Sequence, residues 1–248
     1  MKLNIGMRCH DLCPKMEMEA LFKEVKANGI HQIQLAFGKS VSNYDFSTGH
    51  YSPGFARYIR DELAKNEIHV AVLGCYINPT NPIEAKRREA VDRFIEHMKY
   101  ARILGADMVG TETGRLDADF QVTKESYTEE GYQLLLKSMR EIVDAAEKLG
   151  VIVGVEGVFN HTLYSPARMK RFLEDIHSPN VEVILDAVNL IHPDQVSPEA
   201  QRRVIDQAFA YYGDKISVLH VKDSTGYRQK PIPRRYIFMR CPFGRLFS

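Results

Sequence analysis

Cysteine is scarce: Cys9, Cys13, Cys75 and Cys241 are the four thiols of a 248-residue chain. Their spacing lacks the close pairs of a zinc site, and a chain this long needs no disulfide staples. Four reduced thiols are expected, with a Cys9/Cys13 redox pair as the alternative, resting on a bare C-x3-C at a strand end. An excess of either charge is also missing. Lys and Arg number 33 against 32 for Asp and Glu, a net of +1 that creates no field to gather nucleic acid or an anionic membrane. No stretch approaches the roughly 20 apolar residues of a membrane span. The start, "MKLNIGMRCHDLCPKMEMEA", has no apolar core or cleavage signal of a secretory leader. A cytoplasmic protein is expected, in which the sequon Asn160-His161-Thr162 has no consequence. No G-x-G-x-x-G follows the first apolar run, where "IGMRCHDLCP" stands, and this argues against a dinucleotide-binding sheet. No linker, charge block or change of composition divides the chain, so one domain is expected.

What is present is alternation. Short β-branched or apolar runs alternate with longer segments of helical period, the pattern of βα units around a parallel sheet. Strands are expected at Leu3 to Cys9, His31 to Phe37, His69 to Ile77, Asp107 to Glu112, Val151 to Gly157, Val181 to Ala187 and Ile216 to Val221. Pro82 and Pro166 suit first helical turns, Ser165 an N-cap, and Gly29, Gly105 and Gly150 helix ends. In "YQLLLKSMREIVDAAEKLG", Leu135, Met139, Ile142, Val143 and Ala146 form a stripe spaced for packing on a sheet. The expected architecture is an α/β fold, a (β/α)8 TIM barrel. Residues 1–223 carry seven βα units and 224–248 an aberrant eighth.

In such a barrel the reactive groups sit at the C-terminal ends of strands. "VIVGVEG" closes with Glu156, "VEVILDAVN" with Asp186 and "ISVLHVKD" with His220. Three consecutive strands thus aim two carboxylates and an imidazole at one mouth. That set suits one divalent ion, Mn²⁺, Co²⁺, Mg²⁺ or Zn²⁺, whose charge offsets carboxylates that would otherwise repel each other. Glu112 in "GTETG", His161 in "EGVFNHT", Asn189, Lys222 and Asp223 fall on the same side. Glu112, His161 and Asn189 are candidates for substrate hydroxyls, and Lys222 is read as structural.

In order and spacing, "VGVEG", "VILDAVN" and "LHVKD", supported by "LGCYINP" and "GTETG", make the chain from about Leu3 to Asp223 resemble the xylose-isomerase-like barrel superfamily of sugar phosphate isomerases and epimerases. The resemblance implies that Glu156, Asp186 and His220 bind one metal together with a second glutamate from strand eight. It also implies that the two glutamates remove and return a proton alpha to a carbonyl through an enediolate, so that Glu156 is both ligand and catalytic acid/base. The implied partner is a small sugar or sugar phosphate, not nucleic acid or membrane; the oligomeric state stays open, a homo-oligomer included. Many members carry a histidine three residues after the strand-six aspartate, where Asn189 stands here. That departure and the neutral charge argue against the endonuclease branch of the fold.

The end of the chain does not fit. After Asp223 there is no acidic residue, and "RRYIFMR" passes as a short strand with no closing helix behind it. A frameshift accounts for this: with AGA AGG for Arg234 and Arg235, TAT for Tyr236 and ATT for Ile237, the next frame reads Glu-Gly-Ile-Phe. The alternatives are a genuine but divergent tail on a catalytically impaired barrel, a metal- or sugar-binding protein, and an inosose-type dehydratase.

Overall fold

The computed structural model describes residues 4–195 and 197–222, and the backbone of 237–240. Seven parallel strands form: β1 (Asn4–Arg8), β2 (Gln32–Leu35), β3 (His69–Gly74), β4 (Met108–Glu112), β5 (Ile152–Glu156), β6 (Val181–Asp186) and β7 (Ile216–Val221). Each lies within a few residues of its expected place. An eighth, β8 (Ile237–Arg240), pairs with both β7 and β1 and closes the barrel in the order β1 to β8. Unlike the other seven it is antiparallel to its neighbours. A parallel eighth strand needs a crossover, usually helical; no helix between β7 and β8 lies among the described residues. The tail expectations, including Asp223, Cys241, the division at 223/224 and the frameshift, fall on or turn on residues outside the described ones.

Helices occupy the connections: α1 (Cys9–Leu12), α2 (Met18–Ala27), α3 (Phe37–Ser40), α4 (Pro53–Lys65), α5 (Glu84–Leu104), α6 (Glu129–Leu149), α7 (Pro166–Ile176), α8 (Ala187–Leu190) and α9 (Pro198–Tyr212). The Ser165 side chain caps α7 by accepting from the Arg168 N–H at 3.3 Å, satisfying one of the helix's free donors. Gly105 and Gly150 end α5 and α6 at φ of 72° and 63°, a backbone that only glycine adopts freely. Pro82 is a correction. It lies outside its helix, because α5 starts at Glu84 with Ile83 as N-cap.

Strand side chains alternate between two faces, and here the alternation sorts the core. Val109, Val153, Val155, Val183 and Leu185 point outward and pack with the helices, where the α6 stripe Leu135, Met139, Ile142, Val143 and Ala146 is buried. The opposite parity fills the lumen with a separate cluster of Val72, Met108, Ile184 and Val218. Gly110 and Gly154 share that parity, and a Cβ at either would stand under 3 Å from a lumen side chain. One further step along the same parity reaches Glu112, Glu156, Asp186 and His220. The candidate site is therefore the top layer of the lumen stack.

Candidate metal centre

Glu156, Asp186 and His220 end β5, β6 and β7, and their side chains meet in the barrel mouth with donor atoms within 4.8 Å of one another. All three are buried, at 2%, 1% and 4% exposure. Register explains the meeting, since Asp186 pairs with His220 across β6 and β7, while Glu156 sits beside Ile184. His220 Nδ1 stands 3.5 Å from Glu156 Oε2 and 3.7 Å from Asp186 Oδ2. These separations are too long for good hydrogen bonds, and Nδ1 is left without one.

Surrounding side chains fix the three donors. His220 Nε2 donates to Gln34 Oε1 at 2.8 Å, which turns Nδ1 toward the carboxylates. Gln34 in turn donates to the Tyr76 hydroxyl. Asn189 Nδ2 donates to Glu156 Oε1 at 2.6 Å, and the Asn189 N–H to Asp186 Oδ1 at 3.0 Å. Lys222 donates to Asn189 Oδ1 and stands 2.6 Å from Asp186 Oδ2. Sequence reasoning read Lys222 as structural and passed over Gln34 and Tyr76; the burial of Gln34 inside a strand is the signal that marks it.

The titration behaviour follows from this packing. Burial lowers the affinity of His220 for a proton, but the Glu156 and Asp186 carboxylates outweigh it and raise its pKa to about 9. Burial raises the carboxyl of Asp186, yet His220 and Lys222 hold it below the ordinary value. Glu112, the register partner of Glu156 on β4, is pushed up to about 7 by burial and by the Glu156 charge. His161 lies 3.7 Å from Glu112 Oε2, and burial, with Arg115 nearby, lowers its pKa to about 3. The imidazole is thus neutral at pH 7, with Phe120 edge-on at 5.4 Å. Glu112 and His161 form one pair on the β4 and β5 side of the mouth; Asn189 is engaged by Glu156 and Lys222.

The donor set fits a divalent cation. Donors bound at about 2.1 Å to one tetrahedral ion stand about 3.4 Å apart, close to both His220 separations. A buried imidazole nitrogen that faces two carboxylate oxygens without bonding either is the arrangement such an ion would complete. Among the described residues the thiols offer no competing centre: Cys9, Cys13 and Cys75 are free, and burial raises the pKa of each. Among the described residues no helix is long and apolar enough to cross a membrane.

Residues 22–245 match the family described as xylose isomerase-like TIM barrel. An inosose dehydratase of Histophilus somni (strain 129Pt) is 24% identical over 147 residues, 57% of this chain and 47% of that protein. The chain thus spans less than half the length of this curated relative. Among solved structures, a 3-keto-D-glucoside 4-epimerase from E. coli superposes with a TM-score of 0.69 at 13% identity, covering 90% of this chain and 80% of that one. The IOLI protein, solved with a zinc atom, gives 0.65 at 16% identity, over 92% and 77% of the two chains.

Proposed function

The chain belongs to the xylose isomerase-like TIM barrel family, and from that footing we propose that it is a metal-dependent sugar or sugar-phosphate isomerase or epimerase. The observation that carries the reading is the buried Glu156, Asp186 and His220 triad with its unbonded His220 Nδ1. Glu156, Asp186 and His220 would hold a divalent ion, which would supply a Lewis acid for the oxygens of a hydroxycarbonyl substrate. The zinc of the IOLI structure and the sugar epimerase among the structural neighbours support this assignment.

Glu156 takes the proton alpha to the substrate carbonyl. Asn189 holds Oε1 of that carboxylate, leaving Oε2 toward the mouth centre. Glu112, on the adjacent strand, has its carboxyl pushed up to about 7 in the metal-free site, chiefly by burial, which suits it to carry a proton near neutral pH. It donates that proton to a substrate oxygen, with His161 beside it as a neutral hydrogen-bonding group. Among the described residues Glu112 and Glu156, register partners on neighbouring strands, form the acid/base pair of this reading. That pair serves isomerisation. It serves loss of water equally, and the similarity to an inosose dehydratase supports dehydration as the second reading.

Solvent-exchange kinetics test the assignment. In D₂O with Mn²⁺, a panel of ketohexoses and inososes is expected to show deuterium uptake alpha to a carbonyl for at least one member. Glu156→Gln should reduce that uptake by about a hundredfold or more, the scale of general-base catalysis. Uptake that is unchanged in Glu156→Gln, or Mn²⁺ binding that survives Asp186→Asn and His220→Ala together, would overturn the reading.

A further inference from the structure

A cavity of about 380 Å³ opens beyond the ends of β2 and β3, bounded by residues 41–47 and by α5, a size that accommodates a small ligand group. Three cations line it: Lys15, which follows α1, Lys39 in α3 and Arg93 in α5. Among the described residues none of the three makes a close ion pair, although the Lys39 charge reaches the Glu112 carboxyl at the mouth. The one acidic lining residue, Asp45, accepts from the Ser47 N–H at 2.8 Å and faces His50 at 3.6 Å. His97 also lines the cavity, but burial holds its pKa below the ordinary value, so it adds no charge at neutral pH. Three cations against one carboxylate leave two positive charges in one concave space.

The cavity shares a wall with the triad. Tyr76 lines it, the Lys39 ammonium stands 3.9 Å from the centre of the Tyr76 ring, and the Tyr76 hydroxyl accepts from Gln34, whose Oε1 accepts from His220. The barrel mouth is therefore polarised, with carboxylates at β4 to β6 and a group of cations without close ion pairs beyond β2 and β3. Isolated cations are costly to gather and are repaid by an anion.

We propose that this cavity is an anion subsite that binds a phosphoryl group carried by the substrate, through Lys39, Arg93 and Lys15. The net charge selects the group. A phosphate monoester carries about −1.5 to −2 at pH 7, against a single negative charge on a carboxylate. The subsite deepens the proposed function and rests on it only in assigning the anion to the substrate.

Calorimetric titration of inorganic phosphate into the chelator-treated protein tests the site itself. Phosphate is expected to bind, more tightly than acetate, and about tenfold or more weaker in Lys39→Gln and in Arg93→Gln, the scale of a charge-assisted contact. Lys39→Arg keeps the charge and should retain binding, which separates loss of the subsite from loss of the fold. Glu156→Gln should bind phosphate as the parent does. Phosphate binding that requires Mn²⁺, that disappears in Glu156→Gln, that is as tight in both cation variants as in the parent, or that is matched by acetate overturns the proposal. A chain that binds phosphate but not Mn²⁺ would sink the metal reading and leave this subsite standing.

Discussion

One amide, that of Asn189, joins the charged groups of the site. Its nitrogen donates to Glu156 and its oxygen accepts from Lys222, which also faces Asp186. Removing it leaves a buried carboxylate oxygen and an ammonium without that partner. Asn189→Ala is expected to cost about 1–3 kcal/mol of stability and to weaken Mn²⁺ binding by about 10- to 100-fold; chemical denaturation and calorimetry read the two effects. The titrating groups give a second prediction. In metal-free protein, Glu112 has a folded pKa of about 7 against an ordinary 4.5, so the folded state holds its proton where the unfolded state has lost it. Its contribution to stability falls as pH rises from 4.5 to about 7. The contribution of His220, raised from 6.5 to about 9, is fully present below 6.5 and is lost as pH rises through about 9. Denaturant titrations between pH 4 and 10 should show both declines. Glu112→Gln should remove the lower one alone, and an unaltered profile in that variant would contradict the assignment. At this scale the sequence reveals the triad because each member is a polar residue closing an apolar run. Gln34 escapes notice because alternation in "QIQL" reads as a solvent face, whereas in a closed barrel that face is the lumen.

Within the strands, the same parity that stacks the site on the lumen cluster limits which residues can lie beneath it. A Cβ at Gly110 would fall 2.7 Å from Val72 Cγ1 and 2.9 Å from Ile184 Cδ1, and one at Gly154 would fall 2.6 Å from Met108 Sδ. Gly110→Ala is expected to lower stability by about 1–3 kcal/mol through overpacking. Gly54→Ala in α4, where the nearest atom to a new Cβ is 3.8 Å away, should not lower it. Equal denaturation midpoints for the two variants would show that the lumen layer is not tightly packed. Element positions were readable because apolar period and caps are local properties: Ser165, Gly105 and Gly150 each announce a helix end through chemistry within a few residues. The direction of β8 was not. A four-residue apolar strand looks alike read either way, and its pairing partners β7 and β1 are set only by closure of the barrel.

Across the molecule, the three candidate ligands come from three strands joined by ladders, so an ion held by Glu156, Asp186 and His220 would tie β5, β6 and β7 together at one end of the barrel. In its absence those strands end in two buried carboxylates balanced by a protonated imidazole and by Lys222. A ligand that binds only the folded state raises stability by mass action, about 2.7 kcal/mol at a hundred times its dissociation constant. For a chain of this size that corresponds to a rise of about 5 to 10 °C in melting temperature. Adding Mn²⁺ in that excess to chelator-treated protein should produce such a shift. Asp186→Asn should abolish it, because the loss of one carboxylate removes both a ligand and the charge that offsets the ion. His220 must shed its proton to bind, so the shift should also shrink as pH falls below about 9. A melting temperature indifferent to Mn²⁺ across this range would mean that the three side chains meet for packing alone, with Lys222 as their permanent counter-ion.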